Sequence, residues 1–188
     1  MARSVGIDKA QVIAAAAELA DSNGLEALTL AQVAAKLGIK LPSLYNHVDG
    51  LAGLRRALAL LGLRELADLM SRAAIGKAEA DALMAIAVAY RDYVKQHPGC
   101  YAAGVRAPAA DDPELVAAGT RVVEIVAAVL APYELSDDDV IHAIRALRAI
   151  VHGFATLETA GGFGIPLDQD VSFRRLMQIY IQGVRRTV

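Results

Sequence analysis

Between residues 29 and 50 the chain is cut into pieces that fit two small helices and a tight corner. Thr29 is a good helix N-cap and Gly38 a good terminator. Pro42 suits the first turn of a helix, where its missing N–H would have no intrahelical partner anyway. One helix therefore fits over Leu30–Leu37. After the turn Gly38-Ile39-Lys40 a second begins at Leu41-Pro42 and runs only to about His47, before Asp49 and Gly50 punctuate the chain again. Two helices of about two turns, joined at a glycine and resting on a preceding helix, have the spacing of a helix-turn-helix. Val33, Ala34, Leu37, Ile39 and Leu44 supply its small core. Spacing alone also fits an ordinary corner between two helices.

The rest of the chain reads as helix throughout. The preceding helix runs from an Asp8 cap to Gly24, with Val12, Ile13, Ala16, Leu19 and Ala20 on one stripe. Downstream, a long helix follows Gly50 to about Ala74 and reads as the sole connection between the two parts. Another spans about 77–97 and ends at His97-Pro98-Gly99, followed by a short segment over 101–106. A helix over 111–131 opens on acidic residues and stops at Pro132. The next is capped by Ser136, with Asp139 at its third position, and runs to about Ala160. Glycines and Pro166 then break the chain, and a last helix over 169–186 is capped by Asp168. The expected fold is all-α with about nine helices: a helix-turn-helix domain over 1–50 and a larger helical domain over 51–188.

Composition fits this and excludes much else. Alanine, the best helix former, fills 38 of 188 positions, and the chain is 55% hydrophobic with only 5% aromatic residues. Cys100 is the single cysteine, so no internal disulfide forms; it reads as a packed core residue in a reducing cytoplasm. Apolar runs such as 57–63 and 125–131 fall short of the roughly 20 residues a membrane span needs, so no membrane partner is expected. No secretion leader is recognisable. Net charge is −2, with six Lys/Arg against five Asp/Glu in residues 1–56, so any DNA contact depends on a few well-placed cations. The four histidines form no H-E-x-x-H pattern, and the 161–164 glycines lack the Gly-Lys-Ser/Thr of a phosphate loop. Asp137, Asp138 and Asp139 complement a helix dipole rather than bind a cation. Neither catalysis, a metal nor a cofactor is expected.

The segment from Gly24 to Ile39 (GLEALTLAQVAAKLGI) and its continuation Lys40–Val48 (KLPSLYNHV) resemble the TetR family of transcriptional repressors, with Thr29, Gly38, Leu44, Tyr45 and His47 at that family's spacing. The C-terminal half is similar to a subgroup carrying a His-Pro-Gly segment, a Trp-His-Gly motif and a glycine-rich loop before the last helix. Here these are His97-Pro98-Gly99, Val151-His152-Gly153 with the Trp replaced, and the 161–164 loop. The resemblance implies a homodimer that represses transcription from a double-stranded DNA operator, and whose body binds a small-molecule effector that releases the DNA. A transcriptional activator, or a helical ligand-binding or interaction module without DNA regulation, is the alternative.

The chemistry of the reading segment suits this. Asn46 can read an adenine edge and Ser43 either kind of base pair. Leu41 and Lys40 open the reading helix, Lys40 adding positive charge. Thr29 stands at a helix N-terminus that can hold a phosphate. The resemblance gives phosphate contacts to Tyr45 and His47. One position departs from the family: Leu51 stands where a phosphate-binding Lys is frequent, with Arg55 and Arg56 a turn later as potential substitutes. Few phosphate contacts, and a shallow salt dependence, are expected.

In the body, the last two long helices are apolar over more than one stripe, which implies a second contact beyond the core. Ile144, Leu147, Val151, Phe173, Met177, Tyr180 and Ile181 are the expected dimer residues, with two helices from each protomer forming a four-helix interface. Tyr90, His97, Tyr101, His142, His152 and Phe154 are the expected ligand-pocket residues, by the resemblance and by their polarity within apolar helices. His152 stands out because the adjacent Gly153 permits close approach.

Overall fold

The computed structural model describes residues 7–185, and among these the architecture is all-helical, with nine α-helices and no strand. The helices are α1 (Lys9–Asn23), α2 (Leu30–Leu37), α3 (Leu41–Leu44), α4 (Gly50–Ala74), α5 (Glu79–Gln96), α6 (Pro98–Ala103), α7 (Pro113–Leu130), α8 (Asp137–Thr159) and α9 (Gln169–Arg185). Arg186, the last residue expected in the final helix, lies outside the described residues.

The chain forms two compact units. One, here the head, comprises residues 1–63 with 97–108; the other, the body, comprises 64–96 with 109–188. The expectation that one long helix alone connects the two parts is corrected: the chain passes between the units at three points. The reason is α6, which packs on α1 and so belongs to the head.

Local chemistry fixes the helix ends of the head. Asp8 accepts the Gln11 amide at 2.8 Å while the Gln11 side chain accepts the Asp8 amide at 2.9 Å, a reciprocal cap on α1. Thr29 and Gln32 repeat the device on α2. Gly38 closes α2 in the left-handed conformation (φ 67°). Its amide donates to the Ala35 carbonyl, and the Ile39 amide donates to that of Ala34 at 3.0 Å. This is the paired termination that a glycine allows, and it turns the chain toward α3. Val12, Ala16, Ala20, Val33, Leu44 and Leu54 form the centre of the head's core, and Cys100 packs into it.

The third attachment of the head is polar. Asp21 on α1 accepts the backbone amides of Gly99 (2.8 Å) and Cys100 (3.0 Å) and meets His97 Nδ1 at 3.0 Å. A Cβ on Gly99 would lie 2.2 Å from the Ala20 carbonyl carbon, so only glycine lets α6 approach this closely. His97-Pro98-Gly99 therefore starts a helix as well as ending one, with Pro98 in its first turn.

In the body, α5 packs on α7, α8 and α9, and α8 packs on both α7 and α9. Leu83, Ile86, Leu130, Leu147, Phe173 and Met177 are among its fully buried side chains. Ser136 caps α8, its hydroxyl accepting the Asp139 amide and donating to the Asp139 carboxylate at 2.6 Å. By length and composition alone, 113–133 and α8 are each long and apolar enough to cross a membrane, although neither is an uninterrupted apolar run. One or two such helices are weak evidence of a span, and α8 carries Arg145 and Arg148 on exposed positions.

Candidate nucleic-acid interface and ligand site

The reading segment is held from beneath and open above. Leu44 is fully buried and Val48 nearly so. Backbone bonds from the His47 and Val48 amides to the Leu44 carbonyl carry the helical path past the end of α3. The polar tips around these anchors face outward: Thr29, Lys40, Ser43 and Asn46 are exposed, Leu41 is 39% exposed and Tyr45 57%, while His47 is half-buried. The expected reading residues Lys40 to His47 thus share one segment, and Thr29 stands at the start of α2.

Two positions sharpen the chemistry. The Thr29 hydroxyl is engaged in its own cap, donating to Gln32 Oε1 at 2.9 Å. What the start of α2 offers an anion is the first-turn amides, which have no intrahelical partner. Arg55, a potential substitute for the family's lysine, is turned elsewhere: Nη2 donates to the Leu25 carbonyl (3.3 Å) and Glu26 (3.1 Å). Leu51, at the lysine position itself, packs half-buried against the head's core. Lys36 pairs with Glu18 at 2.7 Å.

Of the six expected pocket residues, His97, the N-cap of α6, and Tyr101 on α6 belong to the head, and Tyr90, His142, His152 and Phe154 to the body. Tyr90 is buried in the core, His142 is exposed near the start of α8 and His152 is half-buried. No atom stands within 4 Å of where a Gly153 Cβ would be, so this glycine accommodates no close approach within the chain. Phe154 alone of the six lines a pocket in the body. That pocket, about 270 Å³, lies under the α8–α9 loop, where Phe163, Ile165, Leu167, Gln169 and Ser172 join Phe154.

The expected dimer residues need a correction. Leu147, Val151, Phe173 and Met177 are essentially inaccessible within one chain, and Tyr180 and Ile181 nearly so. Tyr180 is tied down further, donating to the Ala143 carbonyl at 2.9 Å, and burial pushes its hydroxyl pKa up. The body's own core consumes these side chains because α5 and α7 cover them; of the seven, only Ile144 keeps substantial surface.

Sequence reasoning missed a buried ion cluster. Arg91 on α5 donates to Glu158 from Nε (2.7 Å) and Nη2 (2.6 Å) and to Asp170 from Nη1 (2.7 Å). Lys95, one turn later, donates to Glu158 at 2.7 Å. Burial works against the charges of Arg91 and Glu158, but their mutual hydrogen bonds outweigh it, raising the Arg91 pKa and lowering that of Glu158. The bond from Arg91 likewise holds Asp170 below the usual carboxylate range. The partners lie 67 and 79 positions apart, so the only sequence signal was an Arg and a Lys four apart on one helix.

A helix-turn-helix head with an outward polar row, in a chain with a larger helical body, is the architecture of a DNA-binding transcriptional regulator. The comparisons give the particular family. Residues 12–58 match the family described as bacterial regulatory proteins, tetR family, and residues 83–180 match the tetracyclin repressor-like C-terminal domain. The chain is 35% identical over 187 residues to the uncharacterized HTH-type transcriptional regulator Rv0681 of Mycobacterium tuberculosis, covering 99% of this chain and 85% of that protein. It is 34% identical to the uncharacterized HTH-type transcriptional regulator YobS of Bacillus subtilis, covering 84% of this chain and 82% of that protein. The chain belongs to the TetR family of transcriptional regulators. Among solved structures, a Rhodococcus sp. RHA1 protein of unknown function shares the fold with a TM-score of 0.81 at 23% identity, over 96% of this chain and 97% of that one. A TetR variant of Acinetobacter baumannii AYE, solved in complex with minocycline, gives 0.74 at 23% identity, over 96% and 98%.

Proposed function

We propose that this regulator is a homodimeric, cytoplasmic repressor that binds a palindromic operator and leaves it when a small molecule occupies the body. The observation that carries the reading is the row of exposed polar groups at Lys40, Ser43, Tyr45 and Asn46 above the buried Leu44. Such a row offers base-edge donors and acceptors from a fixed backbone, with phosphate contacts to set the register. Two-fold symmetry would place two reading segments about 34 Å apart, one turn of DNA. The pairing surface we favour is the outer side of α8 and α9, where Ile141 and Ile144 and, on α9, the 68% exposed Ile179 remain open to a second copy.

Selection of bound fragments from the genomic DNA of the source organism tests the reading. The expected result is one inverted repeat whose half-sites lie one helical turn apart. Retention of DNA without an enriched sequence overturns it, as does sedimentation of a stable monomer at micromolar concentration.

A further inference from the structure

The chain has three phenylalanines, and all three meet in one place. Phe154 on α8 lies 4.8 Å from Phe163 and 5.1 Å from Phe173, ring centre to ring centre. The Arg91 guanidinium lies 5.2 Å from the centre of Phe154 and 4.9 Å from that of Phe173. Phe163 belongs to the α8–α9 loop and forms, with Phe154, the aromatic wall of the 270 Å³ pocket. Ile165 and Leu167 line it as well, and Gln169 and Ser172 contribute uncharged polar groups.

We propose that this pocket binds a neutral, largely apolar molecule of about two fused rings, with one hydrogen-bonding group directed at Gln169 and Ser172. Three observations carry this. The lining contains no ionisable side chain, and the guanidinium beside Phe154 and Phe173 is already matched: all three Arg91 nitrogens donate to Glu158 or Asp170. A charged ligand would lose its hydration there without gaining a partner, a cost of several kcal/mol. The volume fits, since an apolar cavity of about 150 Å³ already accepts benzene. Finally, Ile165 and Leu167 are 75% and 72% exposed, so the loop holds two large apolar side chains in water at the site. A ligand covering them would recover burial that the free chain forgoes, at about 25 cal/mol per Å². The pocket's regulatory meaning rests on the effector-responsive reading above; its occupancy does not.

The test uses the full chain free of DNA, with 2-naphthol as the neutral probe and 2-naphthoate as an anion of the same shape, at pH 7. The expected result is saturable 2-naphthol binding at one site per chain, with 2-naphthoate at least about tenfold weaker. Phe163→Ala should weaken 2-naphthol binding at least about tenfold, and Ser172→Leu, which fills the pocket from an exposed position, should do the same. Urea midpoints show that both variants remain folded. Non-saturable binding, equal affinity for the anion, or indifference to both substitutions overturns the proposal. So does a Phe163→Ala change in sedimentation without a change in probe affinity, which would give the loop to a second copy. Saturable probe binding by a protein that retains no operator leaves the pocket standing and removes the regulator reading; operator binding without probe binding does the reverse.

Discussion

Head and body use apolar residues in opposite economies. In the head, one small core of alanine, valine and leucine is enough, and nearly every residue expected to meet DNA is left outside it. In the body, the long apolar helices that seemed to have side chains to spare have few: Leu147, Val151, Phe173 and Met177 are all taken inward. An apolar girth wider than one stripe reports burial on several sides, and neighbours within the chain can supply those sides as readily as a partner can. What the body leaves outside is a different set, Ile141 and Ile179 on the helices and Ile165 and Leu167 on the loop. The two units also differ in how polar groups are tied. Both have a long-range polar tie, but the head's joins Asp21 to the amides at the start of α6, whereas the body's is an ion cluster around the buried Arg91.

The sharpest way to break this comparison is to remove the body's long-range tie. Glu158→Gln leaves Arg91 buried with a neutral partner in place of a carboxylate, and one-sided loss of a buried ion pair costs about 3–5 kcal/mol. Urea denaturation should show a loss of that order. Asp170→Asn, on a side chain 62% exposed, should change stability by less than about 1 kcal/mol. Equal, small effects for the two would mean that the cluster is ornamental and that the body depends on apolar packing alone.

Leu44→Ala is the head's counterpart. It removes a fully buried side chain beneath the reading segment and should cost about 3 kcal/mol, with loss of operator binding at temperatures where the variant remains folded. Unchanged operator affinity would show that the tips of α3 do not need their anchor.

The same contrast explains what could be read without coordinates. Helix boundaries of the head were legible because Asp8, Thr29 and Gly38 act on backbone within a few residues. Ser136 and Asp139 were legible for the same reason. The placement of α6 was not, since His97-Pro98-Gly99 reads as a stop, and only the Asp21 carboxylate 78 positions away makes it a start. The candidate DNA residues could be named because they sit between local anchors. The pocket could not, because Phe154, Phe163 and Ser172 meet only when α8, the loop and α9 are folded together. Of the expected pocket set only Phe154 belongs to it, and the resemblance, not the loop that covers it, is what pointed there.

Acid should discriminate the units further. The carboxylates of Glu158 and Asp170 have lowered pKa values in the folded chain, so their contribution is fully present above the ordinary carboxylate range near pH 4. It is lost as pH falls through the lower folded values. The stability of the native chain should therefore drop below about pH 4, and Glu158→Gln should flatten that limb while leaving Leu44→Ala to follow the native pH slope. An identical acid limb in both variants would detach the cluster from the body's acid sensitivity.

The smallest expected effect concerns the cations of the head. Arg55 is engaged with Leu25 and Glu26, and Leu51 carries no charge, so Lys40 is the cation best placed beside the reading helix. Lys40→Ala should reduce the slope of log affinity against log salt by about one unit, and Arg55→Ala should leave it unchanged. The native slope should itself be shallow, because few phosphates are neutralised by a head with so few outward cations. A native slope of about −8 or steeper, or a one-unit fall for Arg55→Ala, would mean that Arg55 leaves its carbonyl and carboxylate partners when DNA arrives.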